Sequence, residues 1–218
     1  MSADAFRARY AAYTLDLLLL APLALLFALV PLKQAGTAFE ALNAATAAAL
    51  ERAFADGHFA LLALAGALRA DAAYIAALAE HGGALTAAIG AALAAVLGTL
   101  ALWFIGFEAS VWQATPGKRL LGLRVERLDG GRPSVARAAL RFIAAGPSWL
   151  LLHLGHAMAA WRADGRALHD LIAGTRVAGA SAMPAWAKAF LFAQGLAAFA
   201  LLAWFAWTML RAVLLMGL

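Results

Sequence analysis

The sequence predicts an all-α polytopic membrane protein with three full spans and one broken apolar segment, which is either a re-entrant hairpin or a fourth span. Of its 218 residues, 65% are hydrophobic and 13% are charged, whereas about a quarter of the residues of a soluble domain carry a charge. The hydrophobic residues form long uncharged runs, which are typical of transmembrane helices. Abundant alanine also suits close packing of helices in lipid.

The charged and sulfur-containing residues exclude several other classes of protein. The net charge is +5, but most cations flank apolar segments, so we expect anionic lipid headgroups rather than nucleic acid as their partners. The chain contains no cysteine. A disulfide framework and a thiolate metal site are therefore excluded.

The first predicted span covers residues 11–32. Its length of about 22 residues is sufficient to cross roughly 30 Å of hydrocarbon at about 1.5 Å per residue. Asp16 lies inside this segment, and no small-residue cleavage site follows it. The segment is therefore predicted as an uncleaved anchor rather than a signal peptide.

A net acidic insertion occupies residues 33–83, between the first two spans. Apolar residues recur there at helical spacing, which predicts two amphipathic helices on or just outside the membrane. The two helices break near residues 56–58, and the glycine pair at 82–83 ends the insertion. The second span then covers residues 84–112.

Residues 113–139 are predicted to form a small basic β element on the cytoplasmic side. Pro116 and Gly117 end the preceding helix because proline cannot continue it and glycine permits a turn. Apolar and polar residues alternate over 120–128, which indicates one strand, and an Asp-Gly turn follows.

Residues 140–161 are long enough to span the membrane, but Gly146 and Pro147 interrupt them. The segment either turns at this pair as a re-entrant hairpin or crosses the membrane fully. It leads into a polar cytoplasmic block at residues 162–184, which contains His-Asp and Ala-Gly-Thr motifs. Residues 185–217 form the last predicted span.

The distribution of basic residues predicts the orientation. Arg7 and Arg9 place the N-terminus in the cytoplasm, so the insertion lies outside and the basic β element lies inside. A hairpin at 140–161 keeps the polar block inside, whereas a full span would move its arginines outside, against the positive-inside rule. The sequence Gly122-Leu123-Arg124-Val125 is echoed at Gly174-Thr175-Arg176-Val177. Two such strands can pair only on one side of the membrane, which favours the hairpin.

Three blocks of sequence together resemble a known family. They are Arg9-x-x-x-Tyr13-x-x-Asp16, then Thr115-Pro116-Gly117-Lys118-Arg119-Leu120-Leu121-Gly122-Leu123-Arg124-Val125, then Arg166-Ala167-Leu168-His169-Asp170-x-x-Ala173-Gly174-Thr175-Arg176-Val177. In this order they resemble the RDD family of bacterial membrane proteins. The family is named after an arginine and two aspartates, and Arg9, Asp16 and Asp170 are the matching positions. The insertion is longer than the family's pattern, and the last span lies beyond it.

The resemblance implies a multi-pass protein of the bacterial inner membrane, with no cofactor and a poorly defined function. For some members, transport of an ion or small solute, including cation/proton exchange, has been suggested. We therefore predict a transport function, in which a chain with so few spans needs to form a homo-oligomer to provide a pathway. The alternative is a non-transporting adaptor or scaffold that binds a protein partner or anionic lipid. An enzyme is not predicted, because no serine or cysteine nucleophile lies in a convincing local motif.

Five polar residues are candidates for ion, proton or other functional roles: Arg9, Asp16, Glu108, His169 and Asp170. Asp16 is either a proton- or cation-binding carboxylate whose affinity Arg9 tunes, or a structural residue that ties its helix to cytoplasmic arginines. Glu108 either shares a proton or cation with Asp16 or is a snorkelling glutamate at the interface.

The adjacent His169 and Asp170 either relay protons or supply a helix cap or interhelical hydrogen bond. A salt bridge from Asp170 to Arg119 or Arg124 would be structural and would join the two cytoplasmic blocks. The basic residues Lys118, Arg119, Arg124 and Arg176 are interpreted as contacts to lipid headgroups or as structural cations.

His153 and His156 are three residues apart and could share a helix face. We interpret them as packing or hydrogen-bonding residues, since no carboxylate lies close in sequence to complete a metal site. No metal ligand set is therefore predicted.

Overall fold

The computed structural model describes residues 3–150, 154–179 and 182–215. Within them the elements are, in order, α1 Ala3–Ala55, α2 Leu61–Ala70, α3 Ala72–Ala109, α4 Pro116–Leu120, β1 Leu123–Arg127, α5 Val135–Leu150, α6 Leu154–Trp161, α7 Leu168–Ala173, β2 Thr175–Gly179 and α8 Ala185–Leu215. The chain divides into a terminal unit, Met1–Leu19 with Ala101–Leu218, and an inserted unit, Leu20–Leu100.

Three helices are long and apolar enough to cross a membrane: Phe6–Ala55, Ala72–Ala109 and Ala185–Leu215. The prediction of a mostly helical protein with three long apolar helices is thereby confirmed, and these helices are candidate membrane spans. Lipid-exposed backbone must satisfy its own hydrogen bonds, which a helix of this length achieves within one segment.

The boundaries of the predicted insertion do not coincide with helix ends. α1 continues past Pro31 to Ala55, and α3 passes through Gly82 and Gly83 to Ala109, so the prediction of two separate amphipathic helices is wrong. The runs around these breakers are rich in alanine and leucine, the strongest helix formers, and each glycine costs only about 1 kcal/mol in a helix. The predicted break near 56–58 is confirmed, because Gly57 adopts a positive φ of 82° just after α1.

The inserted unit buries small side chains. Its buried residues are Leu20, Ala24, Ala28, Ala38, Ala49, Ala53, Ala88, Ala92 and Thr99. Arg52 near the end of α1 binds Asp71 through Nε and Nη2 at 2.9 and 2.7 Å. The other Asp71 oxygen accepts the backbone N–H of Tyr74 at 3.0 Å, so this aspartate also satisfies a free donor in the first turn of α3.

The two Gly-x-Arg-Val repeats pair as predicted. β1 and β2 are antiparallel, with Val125 opposite Val177 and Glu126 opposite Arg176. The strand is shorter than the predicted 120–128, because Pro116–Leu120 forms the short helix α4. Proline is favoured at the first position of a helix, where its missing N–H would have no partner in any case.

The broken apolar segment forms α5 and α6, and the predicted split at Gly146-Pro147 is wrong. α5 continues through Pro147 to Leu150, and α6 begins at Leu154. A Cβ on Gly155 would overlap the Ser148 side chain, so the two helices pack closely against each other. His153 lies outside the described residues, and re-entry into the bilayer stays a prediction.

An apolar cluster joins the start of α1 to the sheet and to the start of α8. Its members are Ala8, Ala11, Ala12, Leu121, Leu123, Met183 and Ala187, with Leu15, Val177, Phe190 and Leu191 packed against them. The cluster brings the first family block next to the sheet that the second and third blocks form.

Candidate functional site

Arg141 is the centre of a buried ion-pair network in the terminal unit. Its side chain is 9% exposed, and α5 places it between two carboxylates. Nη1 lies 2.7 Å from both oxygens of Glu108, and Nε lies 2.9 Å from Oδ1 of Asp170. Because each acid is buried, a guanidinium with fixed donor geometry offsets the desolvation of both.

Glu108, near the end of α3, has two cationic partners. Lys118 Nζ lies 2.7 Å from its Oε1, and Arg141 binds both of its oxygens. Lys118 itself is buried, and its ammonium lies 5.1 Å from the centre of the Phe104 ring. Glu108 is therefore neither a snorkelling residue nor a hydrogen-bond partner of Asp16, and Lys118 is a structural cation in this ion pair.

Asp170 joins three parts of the terminal unit. In addition to Arg141, its Oδ2 lies 3.6 Å from Nη1 of Arg9 and accepts the backbone N–H of Ala167 at 3.1 Å. Burial alone would raise the pKa of Asp170, but the charges of Arg141 and Arg9 and the Ala167 backbone N–H are together among the contacts that outweigh burial and hold that pKa below its usual range. The predicted salt bridge to Arg119 or Arg124 is not formed, because Arg119 stacks over Trp112 and Arg124 binds Glu126.

Asp16 has a separate set of partners. Its carboxylate accepts the Thr115 hydroxyl, the backbone N–H of Gly117 at 2.8 Å and the Trp103 indole N–H at 3.3 Å. Arg9 instead turns to Asp170 and to the Val177 carbonyl oxygen, at 3.1 Å. The prediction that Arg9 tunes Asp16 is therefore wrong. These contacts favour a structural role for Asp16, but its partners are neutral donors and not the predicted arginines.

Gly117 allows this contact. A Cβ at Gly117 would overlap the Ala12 carbonyl oxygen and lie 2.9 Å from the Asp16 carboxylate carbon. The Thr-Pro-Gly sequence thus lets the backbone of α4 approach α1 closely enough for Asp16 to accept its N–H. The first two family blocks meet at this point.

His169 packs against the same network. Arg141 Nη2 lies 3.1 Å from its Nε2, and since arginine can only donate, Nε2 is the acceptor and Nδ1 carries the proton. Burial, together with the Arg141 charge, lowers the pKa of His169 to about 3. The ring centre lies 4.8 Å from that of His156. His169 is thus a neutral hydrogen-bond acceptor beside Asp170 at neutral pH, and its role as a proton relay stays a prediction.

A cavity of about 380 Å³ opens beside this network. Its charged and imidazole-bearing lining residues are Arg9, Glu108, Lys118, Arg141, His156 and His169, and its apolar or aromatic ones are Phe6, Tyr10, Tyr13, Phe104, Phe142, Ala145, Ala157, Ala159, Ala167 and Val177. Rings of Phe142, Phe104, Tyr13 and His156 follow one another with centre-to-centre distances of 6.5, 6.0 and 6.1 Å. The cavity therefore combines a ladder of rings with buried charge.

The remaining basic candidates lie on or near the sheet. Arg176 Nε and Arg124 Nε lie 2.8 and 3.1 Å from the two oxygens of Glu126, so a Glu-Arg pair links the two strands. Both arginines stay exposed. Arg119 stacks over Trp112 with its guanidinium carbon 4.9 Å from the ring centre.

Arg141 is absent from the candidate residues predicted from the sequence. A signal was available, since an arginine inside a predicted membrane-embedded segment is costly and therefore usually paired. Arg137, in the predicted basic β element, is also absent from those candidates, and no such signal pointed to it. It donates to the carbonyl oxygens of Ala173 and Gly174 at 3.1 and 3.3 Å and so caps the end of α7.

Among the residues that the structure describes, no group of three or more histidine, aspartate or glutamate side chains could hold a metal ion. The carboxylates of the network are instead saturated by cations and backbone donors.

Comparison with known proteins identifies a family whose model matches this chain. The model of the RDD family matches residues 4–174, which is more than half of the chain. An uncharacterised protein of Bacillus subtilis (strain 168), YxaI, is 37% identical over 76 residues, which cover 35% of this chain and 50% of that protein. The chain thus spans about half of the length of this curated relative. No solved structure matches.

Proposed function

The chain belongs to the RDD family, and on that premise we propose that its terminal unit binds a small solute in the cavity and takes part in moving it across the membrane. The observation that supports this proposal is the cavity of about 380 Å³, with its ring-lined wall and buried charged groups. Small-molecule sites typically occupy roughly 300–1,000 Å³ and combine apolar walls with a few polar groups.

The contacts of the carboxylates favour a solute over a cation. Both oxygens of Glu108 accept hydrogen bonds from cationic side chains. Asp16 accepts three hydrogen bonds, all from neutral donors. A cation or proton would have to displace these donors, which are strong because the sites are buried. Cation/proton exchange at Asp16 and Glu108 is therefore the less favoured form of transport.

Proteoliposomes test this choice directly. Vesicles that contain a pH dye and the purified protein receive inward gradients of Na⁺ or K⁺, and parallel vesicles receive gradients of small organic acids, amides and amines. We expect a protein-dependent response to an organic solute and none to either metal ion. Proton movement driven by Na⁺ or K⁺ and lost in Asp16→Asn would restore the cation mechanism.

A space-filling variant links any uptake to the cavity. Ala145 lines the cavity, so Ala145→Phe should abolish uptake. Ala94 on α3 is exposed and lies outside the cavity, which makes Ala94→Phe the matched control that should keep it. Equal uptake by both variants would show that the solute does not pass through this cavity.

We place the protein in the bacterial inner membrane with a cytoplasmic N-terminus, on the basis of its basic flanking residues. The chain has no cysteine, so single-cysteine variants report accessibility without background. Leu128→Cys and Arg166→Cys should label only from the cytoplasmic side, and Phe59→Cys only from the outside. Labelling of Arg166→Cys from outside would require a full span at 140–161.

A homo-oligomer stays part of the transport proposal, because three candidate spans enclose little space in one chain. No catalytic role is proposed. The described residues that line the cavity include no serine, threonine or cysteine, and His169 already accepts a hydrogen bond from Arg141.

The adaptor function is the second candidate, and the exposed arginines of the sheet favour it. Side chains of Arg124 and Arg176 are 62% and 48% exposed on either side of Glu126. Two neighbouring guanidinium groups suit anionic lipid or an acidic protein segment. Binding to vesicles that contain phosphatidylglycerol should weaken in Arg124→Gln/Arg176→Gln if the sheet has this role, while uptake through the cavity is unaffected.

A further inference from the structure

In the cavity wall, some N–H donors lack hydrogen-bond partners among the described residues, whereas the carboxylate oxygens have them. Lys118 has three N–H donors, and its one described hydrogen bond goes to Glu108. Nδ1 of His169 carries a proton, because Nε2 accepts from Arg141, and it has no hydrogen-bond partner among the described residues. By contrast, both oxygens of Glu108 are occupied. The wall therefore has donors to offer a ligand and no free carboxylate oxygen.

Positive charge also exceeds negative charge at the cavity. Three cationic side chains line it, Arg9, Lys118 and Arg141, and one carboxylate, Glu108. Asp170 lies directly behind the wall and binds two of these cations. Even with Asp170 counted, one positive charge is left over at the cavity, since the buried Asp16 does not line it and accepts hydrogen bonds from neutral donors. A buried excess charge is costly unless a counter-charge accompanies it.

The rest of the wall is apolar. The rings of Phe142, Phe104 and Tyr13 stack in sequence, and small alanine side chains leave the space beside them. Such a surface stabilises a flat or aliphatic body through burial of apolar area and through offset stacking.

We propose that the solute is an organic monoanion, with one carboxylate or phosphate-ester oxyanion near Lys118 and His169 and an apolar body against the ring ladder. This inference rests on the proposed solute-binding function and names the chemical class of its ligand. An oxyanion accepts the unused N–H donors and balances the surplus positive charge. The same chemistry is found in free aromatic acids and in anionic lipids such as phosphatidylglycerol.

Three probes with one body separate charge from shape. Purified full-length protein in a neutral detergent is titrated with 2-naphthoate, 2-naphthamide and 2-naphthylmethylamine, and binding is followed by calorimetry. We expect 2-naphthoate to bind at least about tenfold more tightly than the amide, because a charge-assisted hydrogen bond contributes more than a neutral one. Equal binding of acid and amide, or preferred binding of the amine, overturns the proposal.

Two variants assign the binding to this cavity. Lys118→Gln keeps a hydrogen-bond donor for Glu108 but removes the charge, and it should weaken 2-naphthoate by about tenfold while it leaves the amide unchanged. Ala145→Phe, which leaves the ion pairs intact, should remove binding of every probe, whereas Ala94→Phe should not. Unchanged 2-naphthoate binding in Ala145→Phe overturns the site even if Lys118→Gln fails to fold.

A lipid arm distinguishes the two sources of the anion. The protein is reconstituted in phosphatidylcholine nanodiscs with and without phosphatidylglycerol, and retained lipid is identified by native mass spectrometry. Retained phosphatidylglycerol that 2-naphthoate displaces, and that Ala145→Phe lacks, assigns the site to a lipid. Binding of 2-naphthoate without lipid retention assigns it to a free acid, and the absence of both overturns the proposal.

Binding and transport fail separately. Tight 2-naphthoate binding without uptake into proteoliposomes would leave the ligand class in place and overturn the transport function. Cavity-dependent uptake of an amide or amine, without selective binding of the acid, would support the transport function and overturn the ligand class.

Discussion

The two units of the chain bury different kinds of side chain. Among its described residues, the terminal unit buries seven charged or titratable ones: Asp16, Glu108, Lys118, Glu126, Arg141, His169 and Asp170. The inserted unit, all of whose residues the structure describes, buries alanines, one leucine and one threonine, and no charged residue. Its described ion pair, Arg52 with Asp71, is largely exposed on the arginine side.

This difference separates two ways of specifying a helical structure. Small apolar side chains allow close approach in many registers, so they stabilise contacts without selecting one partner. A buried charge is tolerated only beside its counter-charge, so it selects one arrangement. The terminal unit should therefore be sensitive to single substitutions, and the inserted unit should tolerate them.

The largest expected effect comes from Arg141→Met. Loss of the guanidinium leaves Glu108 and Asp170 each without one cationic partner in a buried site. This should lower the free energy of unfolding by about 3–5 kcal/mol. Arg52→Met in the inserted unit is the matched control and should have little effect, because its guanidinium is exposed. Thermal unfolding in mild detergent, followed by tryptophan fluorescence, measures both. Similar unfolding temperatures for the two variants would remove the contrast between the units.

Glycine substitutions should change stability in opposite directions. Gly117→Ala forces the Cβ against the Ala12 carbonyl oxygen and Asp16, and overpacking of this kind costs about 2 kcal/mol. Gly90→Ala on α3 meets no heavy atom within 4 Å and should stabilise its helix by roughly 0.5–1 kcal/mol. The same unfolding assay compares them. A destabilised Gly90→Ala would show that the inserted unit also depends on close backbone contacts.

A smaller effect is expected from pH. The folded-state pKa of His169 is lowered to about 3, below its unfolded value of about 6.5, so the unfolded state binds the proton first. Stability is therefore complete above about pH 6.5 and declines as pH falls, by about 1 kcal/mol at pH 5.5. The lowered pKa of Asp170 adds a loss at still lower pH.

His169→Gln checks this assignment, because glutamine keeps an acceptor for Arg141 and does not titrate. Its unfolding temperature should vary less between pH 7.5 and pH 5.5 than that of the original protein. An unchanged pH dependence would assign the effect to other groups.

Much of the fold was predictable from local sequence. Apolar length identified the three long helices, and the repeated Gly-x-Arg-Val sequence identified the strand pair. Helix ends were less predictable, because Pro31, Pro147 and the glycine pair at 82–83 all lie inside helices. A proline or glycine lowers helix stability only locally, and the helix-forming residues in the rest of the segment outweigh that loss.

The candidate site was predictable as a set of residues but not as a set of contacts. Arg9, Asp16, Glu108, His169 and Asp170 are all in the terminal unit, yet Asp16 and Glu108 bind different partners, and Arg9 binds Asp170. Residue spacing along one helix suggested the wrong pairs, since it reports only local neighbours.

The sequence by itself determined the membrane class, the three candidate spans, the strand pair and the family, because each depends on local hydropathy or on contiguous motifs. Only the tertiary structure decided which cation neutralises which acid, and that Arg141 is the central partner. The physical reason is that the energy of a buried charge depends on its neighbours in space, and here those neighbours come from α1, α3, α4, α5 and α7. The cavity beside them has the same origin, since no single segment encloses it.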